Sequence, residues 1–365
     1  MPSLAGGGAE RVFVELANQF MSYGYRVTLI LASSLGPYKD EIDEGVNIIS
    51  YGASGVLISL PQLVRYLRRE KPDVIMSGLA HANVISILAN FLAGRVTRCI
   101  ISARSIPSVW YRRHRSLRSW ALLQLMRITY RFADAIIVNS QAVASDLTRF
   151  LMLSRKRIRV IYNPLDNTAI KALSREVVAH DWCKPGAPGV LLGVGRLDTL
   201  KDFPTLIRAF SLIRPKFDCR LVILGEGPDR ESLENLIHSL GLKHDVHLAG
   251  FVTNPFAWMR CARVVVSSSL SEGCPNAVMQ SLACGTPVVC TDCEGGTAEI
   301  LENGKWGKLV PPGDSAAMAT AIIETLEATH QTDGRLRAND FAKDGIAREY
   351  LQIMLPIHII HSQID

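Results

Sequence analysis

The stretch Glu272-Gly273-Cys274-Pro275-Asn276-Ala277-Val278-Met279 follows an apolar strand, Val264-Val265-Val266, and a serine-rich turn holding Ser267, Ser268, Ser269 and Ser271. A loop carboxylate is followed at once by glycine. Pro275 then suits the first position of a helix, where its missing N–H costs nothing. The free N–H groups of such a first turn favour an anion. A carboxylate beside an anion-binding helix start fits a ligand that carries both hydroxyls and phosphates, and a nucleotide sugar is such a ligand.

Outward from that stretch, short apolar strands alternate with helical segments along the whole chain. This pattern argues for parallel sheets covered by helices on both faces. Strands are expected at 26–32, 46–50, 74–77, 99–103, 135–139 and 158–161, with helices such as 9–23, 60–70 and 82–93 between them. A second series is expected at 190–195, 220–225, 246–249, 263–267, 288–291 and 307–310. The join at 163–188 contains Asn163-Pro164 and Lys184-Pro185-Gly186-Ala187-Pro188, which break regular structure. The expected class is α/β, with two doubly wound Rossmann-like domains, 1–165 and 166–340, facing across a cleft. Open α/β sheets bind ligands outside the C-terminal ends of their strands. Residues 341–365 follow, with 341–354 expected to be helical.

Five motifs in order resemble the retaining family-4 glycosyltransferases with the GT-B fold, over nearly the whole chain. They are Gly7-Gly8-Ala9-Glu10-Arg11, Gly195-Arg196-Leu197 with Lys201, Gly225-Glu226-Gly227-Pro228, the Glu-x7-Glu motif that begins at Glu272, and Gly285 to Val289. The resemblance implies a nucleotide-sugar donor, most plausibly a UDP-sugar, bound mainly by the second domain. It implies an acceptor on the first domain, of the lipid-linked oligosaccharide or bacterial polysaccharide kind, and a last helix that returns to the first domain. In that family a first β-strand precedes the glycine turn. Here the chain starts at Met1-Pro2-Ser3-Leu4, just ahead of Gly6, so that strand is expected to be missing and its two neighbours to be left with open edges. A misplaced start or a truncated fragment is the expected reason.

Composition agrees with a folded protein of two domains. The 365 residues are 48% hydrophobic and 20% charged, and no apolar run reaches the ~20 residues of a spanning helix. No signal peptide opens the chain, so a cytoplasmic protein at the inner membrane face is expected. The eight cysteines lack the spacing of a secreted disulfide framework, and Cys290-Thr-Asp-Cys293 is read as structural. Residues 1–165 hold 21 Lys and Arg against 10 Asp and Glu. Between Val74 and Ala133 there are nine arginines and no acid. The first half is therefore expected to face something anionic. The stretch from Trp110 to Trp120 mixes aromatics with arginines, which suits an anionic membrane surface or a lipid-pyrophosphate acceptor; a solvated helix face is the plain alternative. No nucleic-acid motif accompanies it.

Glycosyl transfer from a nucleotide diphosphate needs the leaving pyrophosphate stabilised. Arg196 and Lys201, on one turn, are the candidate clamp. No Asp-x-Asp and no His/Cys cluster with ligand spacing occurs, so neither a metal nor any other cofactor besides the co-substrate is expected. Glu272 is expected at the donor-sugar hydroxyls. The second family glutamate is replaced by Gln280, which keeps hydrogen-bonding capacity but loses charge. Asn276 and Gln280 share a helix face. Gly6, Gly7 and Gly8 permit close backbone approach to the donor, while Glu226 and Val252 mark turns on the nucleobase side. Gly273, Cys274, Pro275, Asn276 and Ala277 complete the donor set. His81 is a candidate for orienting the sugar or accepting a proton, and Arg104 either meets acceptor phosphate or is an exposed cation. Two other functions remain open on the residues alone: a nucleotide-sugar epimerase and a non-catalytic nucleotide-sugar binder.

Overall fold

Every strand ladder is parallel among the residues that the computed structural model describes, namely 1, 4, 7–32, 36–52, 55–330 and 332–355. Parallel pairing demands a crossover after each strand, and helices supply most of them. The chain divides into two units, Met1–Pro164 with the stretch from Lys343 onward, and Leu165–Ala342.

In the first unit the strands are β1 (Thr28–Leu31), β2 (Asn47–Ser50), β3 (Val74–Gly78), β4 (Arg98–Ala103), β5 (Ala135–Val138) and β6 (Ile158–Val160). The helices are α1 (Gly8–Ser22), α2 (Leu60–Glu70), α3 (Ala80–Leu92), α4 (Pro107–Arg113), α5 (Leu117–Thr129) and α6 (Gln141–Phe150). Ser116 and Ser140 cap α5 and α6, each accepting a backbone N–H at 3.2 Å. Ile100, Ile101, Ile136, Ile137 and Val138 are almost wholly buried, as expected of strands covered on both faces. Ile100 and Ile137 pack with Val12, Leu16 and Phe20 of α1. Ile101 and Ile136 lie in a separate cluster with Val84 of α3 and Leu122 of α5. Since side chains alternate along a strand, α1 and α3 cover opposite faces.

These six strands do not make one sheet. β1 pairs only with β2, while β3, β4, β5 and β6 form a separate four-stranded sheet. The split falls between β1 and β3. α1 spans both pieces, because Val14 and Ala17 on its other side pack with Leu29 and Leu31 of β1. Each such burial of a large apolar side chain contributes about 1.5–3 kcal/mol. Met1 lies on β1: its carbonyl accepts the Ala32 N–H at 2.9 Å and its amino group donates to the Ile30 carbonyl at 2.7 Å.

The second unit contains β7 (Gly189–Val194), β8 (Cys219–Leu224), β9 (Val246–Gly250), β10 (Val264–Ser267), β11 (Ser271–Glu272), β12 (Val288–Thr291), β13 (Glu294–Gly295) and β14 (Lys308–Val310). Its helices are α7 (Asn167–Leu173), α8 (Phe203–Ile213), α9 (Arg230–Ser239), α10 (Pro255–Cys261), α11 (Asn276–Cys284), α12 (Thr297–Ile300), α13 (Ser315–Glu327) and α14 (Arg335–Ala338). One sheet runs β14-β12-β10-β7-β8-β9. The chain thus builds β7, β8 and β9 in one direction, then places β10 on the other side of β7. A core of Leu191, Leu206, Phe210, Leu221, Ile223 and Ile322, all wholly buried, packs α8 and α13 onto this sheet. The cysteines depart from the expectation in one respect. Cys183 and Cys261 form a disulfide with Cα atoms 5.8 Å apart, tying the segment before β7 to the end of α10. Their 78-residue separation hides the pairing from the sequence.

The last helix, α15 (Lys343–Met354), packs on the first unit. Ile346, Ala347 and Tyr350 are buried with Ile100 and Ile137, and Tyr23 donates to Asp344 at 2.6 Å. Arg104, just past β4, donates to Tyr350 Oη at 2.9 Å and to Asn163 Oδ1 at 2.6 Å, with its guanidinium 5.2 Å from the Phe13 ring centre. It therefore ties α1, β4 and α15 together. Replacing Arg104 with Ala is expected to cost about 1.5–3 kcal/mol, the range for charged hydrogen bonds, and to speed amide exchange in α15; urea unfolding and exchange mass spectrometry measure the two effects.

Candidate active site

β7 and β10 are neighbours, with Val264 opposite Leu191, and the strand order reverses between them. Ligands of open α/β sheets bind outside the strand ends at such a switch point. The turn after β7 carries Arg196 and Lys201, and the turn after β10 carries Glu272. Two hydrogen bonds knit these turns, and a third closes the first of them. Leu270 N–H donates to the Leu200 carbonyl at 2.7 Å, Ser268 Oγ donates to the Lys201 carbonyl at 2.7 Å, and Lys201 N–H turns back to the Asp198 carbonyl at 3.0 Å.

The result is an ion pair between Lys201 Nζ and Glu272 Oε1. Ser269 Oγ donates to the same carboxylate oxygen at 2.8 Å. The two side chains are only 25% and 14% exposed, so solvent screens the pair weakly. Burial lowers the Lys201 pKa, but the Glu272 charge, the hydrogen bond to it and the nearby Asp198 outweigh burial, and the net shift is upward. Lys201 is a cation at neutral pH.

Glycine makes this packing possible. Glu272 pairs with Gly295 in the short β11–β13 ladder, and Gly296 N–H donates to the Glu272 carbonyl at 3.0 Å. Gly295 has φ +148°, and a Cβ there would stand 1.7 Å from the Glu272 carbonyl oxygen. At Gly225, with φ +141°, a Cβ would stand 1.9 Å from the Gly195 carbonyl oxygen.

Arg196 is exposed at the end of β7. Gly273 is half-buried, and Cys274 and Pro275 are buried. Pro275 is the residue before α11 rather than its first helical residue, and Asn276 opens the helix. The difference arises because Val278 and Met279 N–H both donate to the Pro275 carbonyl, at 3.0 and 3.1 Å, so Pro275 acts as the cap. Ala277 lies in the first turn, and Gln280 is half-buried one turn beyond Asn276. Glu226 forms a salt bridge with Arg230 at 2.8 Å, beside the turn that leads from Gly250 to half-buried Val252.

In the first unit Gly7 caps α1, with its carbonyl accepting Arg11 N–H at 3.2 Å, and Gly8 is exposed in the first turn. Gly6 lies outside the described residues. His81 is exposed in the first turn of α3. The residue before that helix, Leu79, has φ +73°, a conformation that costs a non-glycine residue about 1–3 kcal/mol. Arg104 is not an exposed cation but the three-way tie described above. Trp110 to Trp120 is not one helix: α4 ends at Arg113, and α5 restarts at Leu117. Trp110 stacks on His114 at 5.3 Å between ring centres. Along α5 the apolar side chains Leu117, Trp120, Leu125 and Ile128 are exposed, Leu117 at 85%, and Phe132 continues the row. Arg113, Arg115, Arg118 and Arg131 are exposed around it.

Sequence reasoning missed Ser269, Asp198 and Gly295. The serine-rich turn and the Gly295-Gly296 pair were their signals. Among the described residues, no three His, Cys, Asp or Glu side chains gather where they could hold a metal ion.

Two doubly wound units with a carboxylate–lysine pair at a strand switch point define an α/β protein of the GT-B class. The chain belongs to glycosyltransferase family 4: the Glycosyltransferase Family 4 model matches residues 6–168 and the Glycosyl transferases group 1 model residues 188–328. It is a glycosyltransferase. It is 32% identical to the N-acetylgalactosamine-N,N'-diacetylbacillosaminyl-diphospho-undecaprenol 4-alpha-N-acetylgalactosaminyltransferase of Campylobacter jejuni subsp. jejuni, over 97% of each chain. It is 29% identical to the lipopolysaccharide core biosynthesis glycosyltransferase LpsE of Rhizobium meliloti, over 95% of this chain and 96% of that one. The fold is similar to that of Anabaena HepE in complex with UDP and glucose, with TM-score 0.79 and 23% identity, over 96% of this chain and 97% of that one.

Because the Lys201 pKa is raised on folding, its contribution to stability is complete below the unfolded value near 10.5 and is lost as pH climbs through the folded value. The difference in Tm between the wild type and Lys201→Met is therefore expected to be flat from pH 7 to 9 and to shrink above about 10.5. Gly295→Ala is expected to cost about 1–3 kcal/mol from backbone conformation alone, and more once the Glu272 carbonyl is displaced; chemical denaturation reads it directly.

Proposed function

We propose that this glycosyltransferase moves a sugar from a UDP-sugar to a hydroxyl of a lipid-diphosphate-linked oligosaccharide or polysaccharide, with retention of anomeric configuration and without a divalent metal. The observation that carries the reading is the Lys201–Glu272 pair at the strand switch point, with exposed Arg196 on the same turn. The names of the Campylobacter and Rhizobium relatives support the acceptor class, and the UDP of the Anabaena neighbour supports the nucleotide.

In this reading Glu272 receives donor-sugar hydroxyls on the oxygen that Ser269 and Lys201 leave open, and its charge lies near the oxocarbenium-like carbon. An ammonium carries three donors, so Lys201 keeps capacity for the diphosphate while it holds Glu272. Arg196 supplies a planar fork suited to phosphate oxygens. Both cations, with the N-terminus of α11, stabilise negative charge as it collects on the departing diphosphate. A phosphate oxygen then takes the acceptor hydroxyl proton on the same face of the sugar. Gln280, one turn past Asn276, takes the place of the ribose ligand. The arginines and exposed apolar row of α5 support peripheral attachment to an anionic membrane, on its cytoplasmic face.

The test is a mass-spectrometric assay with UDP- and GDP-sugars and polyprenyl-diphosphate-sugar acceptors, with and without EDTA. Transfer that survives EDTA is expected, with Glu272→Ala inactive and Arg196→Ala slower by about 10²–10³-fold. Gln280→Glu is expected to tighten UDP about five-fold. A sugar isomer formed without acceptor would instead assign an epimerase, and UDP binding without turnover a binding protein.

A further inference from the structure

Glu272 is held at one carboxylate oxygen by two donors of different kinds. Lys201 Nζ and Ser269 Oγ both meet Oε1. The ammonium sits on a flexible four-carbon stem with three rotatable donors, so it can follow the carboxylate wherever that group turns. Ser269 cannot. It is only 1% exposed, and its carbonyl accepts the hydroxyl of Thr291 at the end of β12. The next residue, Leu270, is fastened through its N–H to the Leu200 carbonyl at 2.7 Å.

Hydrogen-bonding capacity then sets the direction of the bonds in this turn. An ionised carboxylate can only accept, so the single hydroxyl proton of Ser269 goes to Glu272. In the 3.4 Å contact between Ser267 Oγ and Ser269 Oγ, Ser267 is therefore the donor. The hydroxyls run one way, from Ser267 at the end of β10 through Ser269 to the carboxylate. Polarisation along such a row strengthens its last bond.

We propose that Ser269 is a positioning residue for glycosyl transfer: its hydroxyl anchors Oε1 of Glu272, so that Oε2 stays turned toward the donor sugar while Lys201 directs its other donors to the diphosphate. This rests on the donor-site reading of Lys201 and Glu272 given above. A diphosphate arriving beside Lys201 competes with Glu272 for the ammonium. Without a second tether the carboxylate rotates with that cation, and its negative charge is no longer held opposite the reacting carbon. A neutral hydroxyl suits the task, because it restrains the carboxylate without cancelling its charge. Being buried and tied to β12, it also stays in place when the cation shifts. Ser269 acts through Glu272, not on the sugar or the phosphates.

The experiment compares Ser269→Ala, Ser269→Thr and Glu272→Ala in the full chain, using the UDP-sugar and polyprenyl-diphosphate-sugar acceptor that give transfer. Ser269→Ala is expected to lower kcat about 10- to 100-fold, the weight of one hydrogen bond to a charged group. Its Kd for UDP, read by calorimetry, is expected to stay within about two-fold of wild type, because UDP carries no sugar for Glu272 to hold. Ser269→Thr keeps the hydroxyl and is expected to recover most of the lost kcat. Urea unfolding of Ser269→Ala, Glu272→Ala and the double variant gives a second readout. The two stability losses are expected to be less than additive, since each single change breaks the same bond. Wild-type kcat in Ser269→Ala with Glu272→Ala inactive overturns the proposal and leaves the donor-site reading standing. Full activity in Glu272→Ala overturns that reading and this proposal with it. Strictly additive stability losses, or a kcat in Ser269→Thr as low as in Ser269→Ala at unchanged Tm, overturn the proposal alone.

Discussion

An ammonium and a carboxylate set in partly shielded loops each need the other. Removing Glu272 would leave Lys201 with a desolvated charge and no partner, and the reverse change would strand the carboxylate. The second unit is organised to keep them together. β7 and β10 must be adjacent for the two turns to meet, and Leu200 and Ser268 fasten one turn to the other. The backbone beneath Glu272 must pass so close to residue 295 that only glycine fits there. The pair is thus less a local salt bridge than the point at which sheet order, turn geometry and glycine placement agree.

The first unit follows a different logic. Its titratable groups do not converge, and its organising contacts are those of packing. Arg104 shows this best. Its position after a strand end resembles that of a ligand-binding cation, yet Asn163, Tyr350 and Phe13 surround its guanidinium. The exposed arginines lie instead on α4, α5 and the turns beside them, interleaved with apolar side chains that a purely aqueous surface would not favour in a continuous row. Charge in this unit is arranged for a surface rather than for a point.

The parts legible in the sequence were those governed by local rules. Apolar runs such as Ile136-Ile137-Val138 can only be buried strands, and every strand anticipated from such runs is present within two residues of its expected ends. Glu272, Lys201 and the glycine turns were legible because a close backbone approach restricts the residue type. Pro275 was misplaced by one position, since whether a proline caps a helix or begins it depends on which carbonyl the next N–H groups choose. What stayed hidden depends on distant parts of the chain. Tyr350 lies 246 residues from Arg104, and nothing near either residue announces the other. Ser269 looked like one serine among several until the Glu272 carboxylate turned toward it. The division of α4 from α5 rests on the single cap Ser116, which a run of arginines and aromatics obscures.

The helix at the end of the chain bears on how the protein is made. Ile346, Ala347 and Tyr350 fill the same core as Val12 and Leu16, so a nascent chain that has emerged through residue 164 still lacks part of its first core. The second unit, Leu165–Ala342, is contiguous and has all of its own core as soon as it clears the ribosome. Synthesis usually lets the N-terminal domain fold first. In this protein the unit that lies earlier in the chain is completed later, and until residues 343–354 have emerged its unfinished core is the part of the nascent chain most in need of a chaperone.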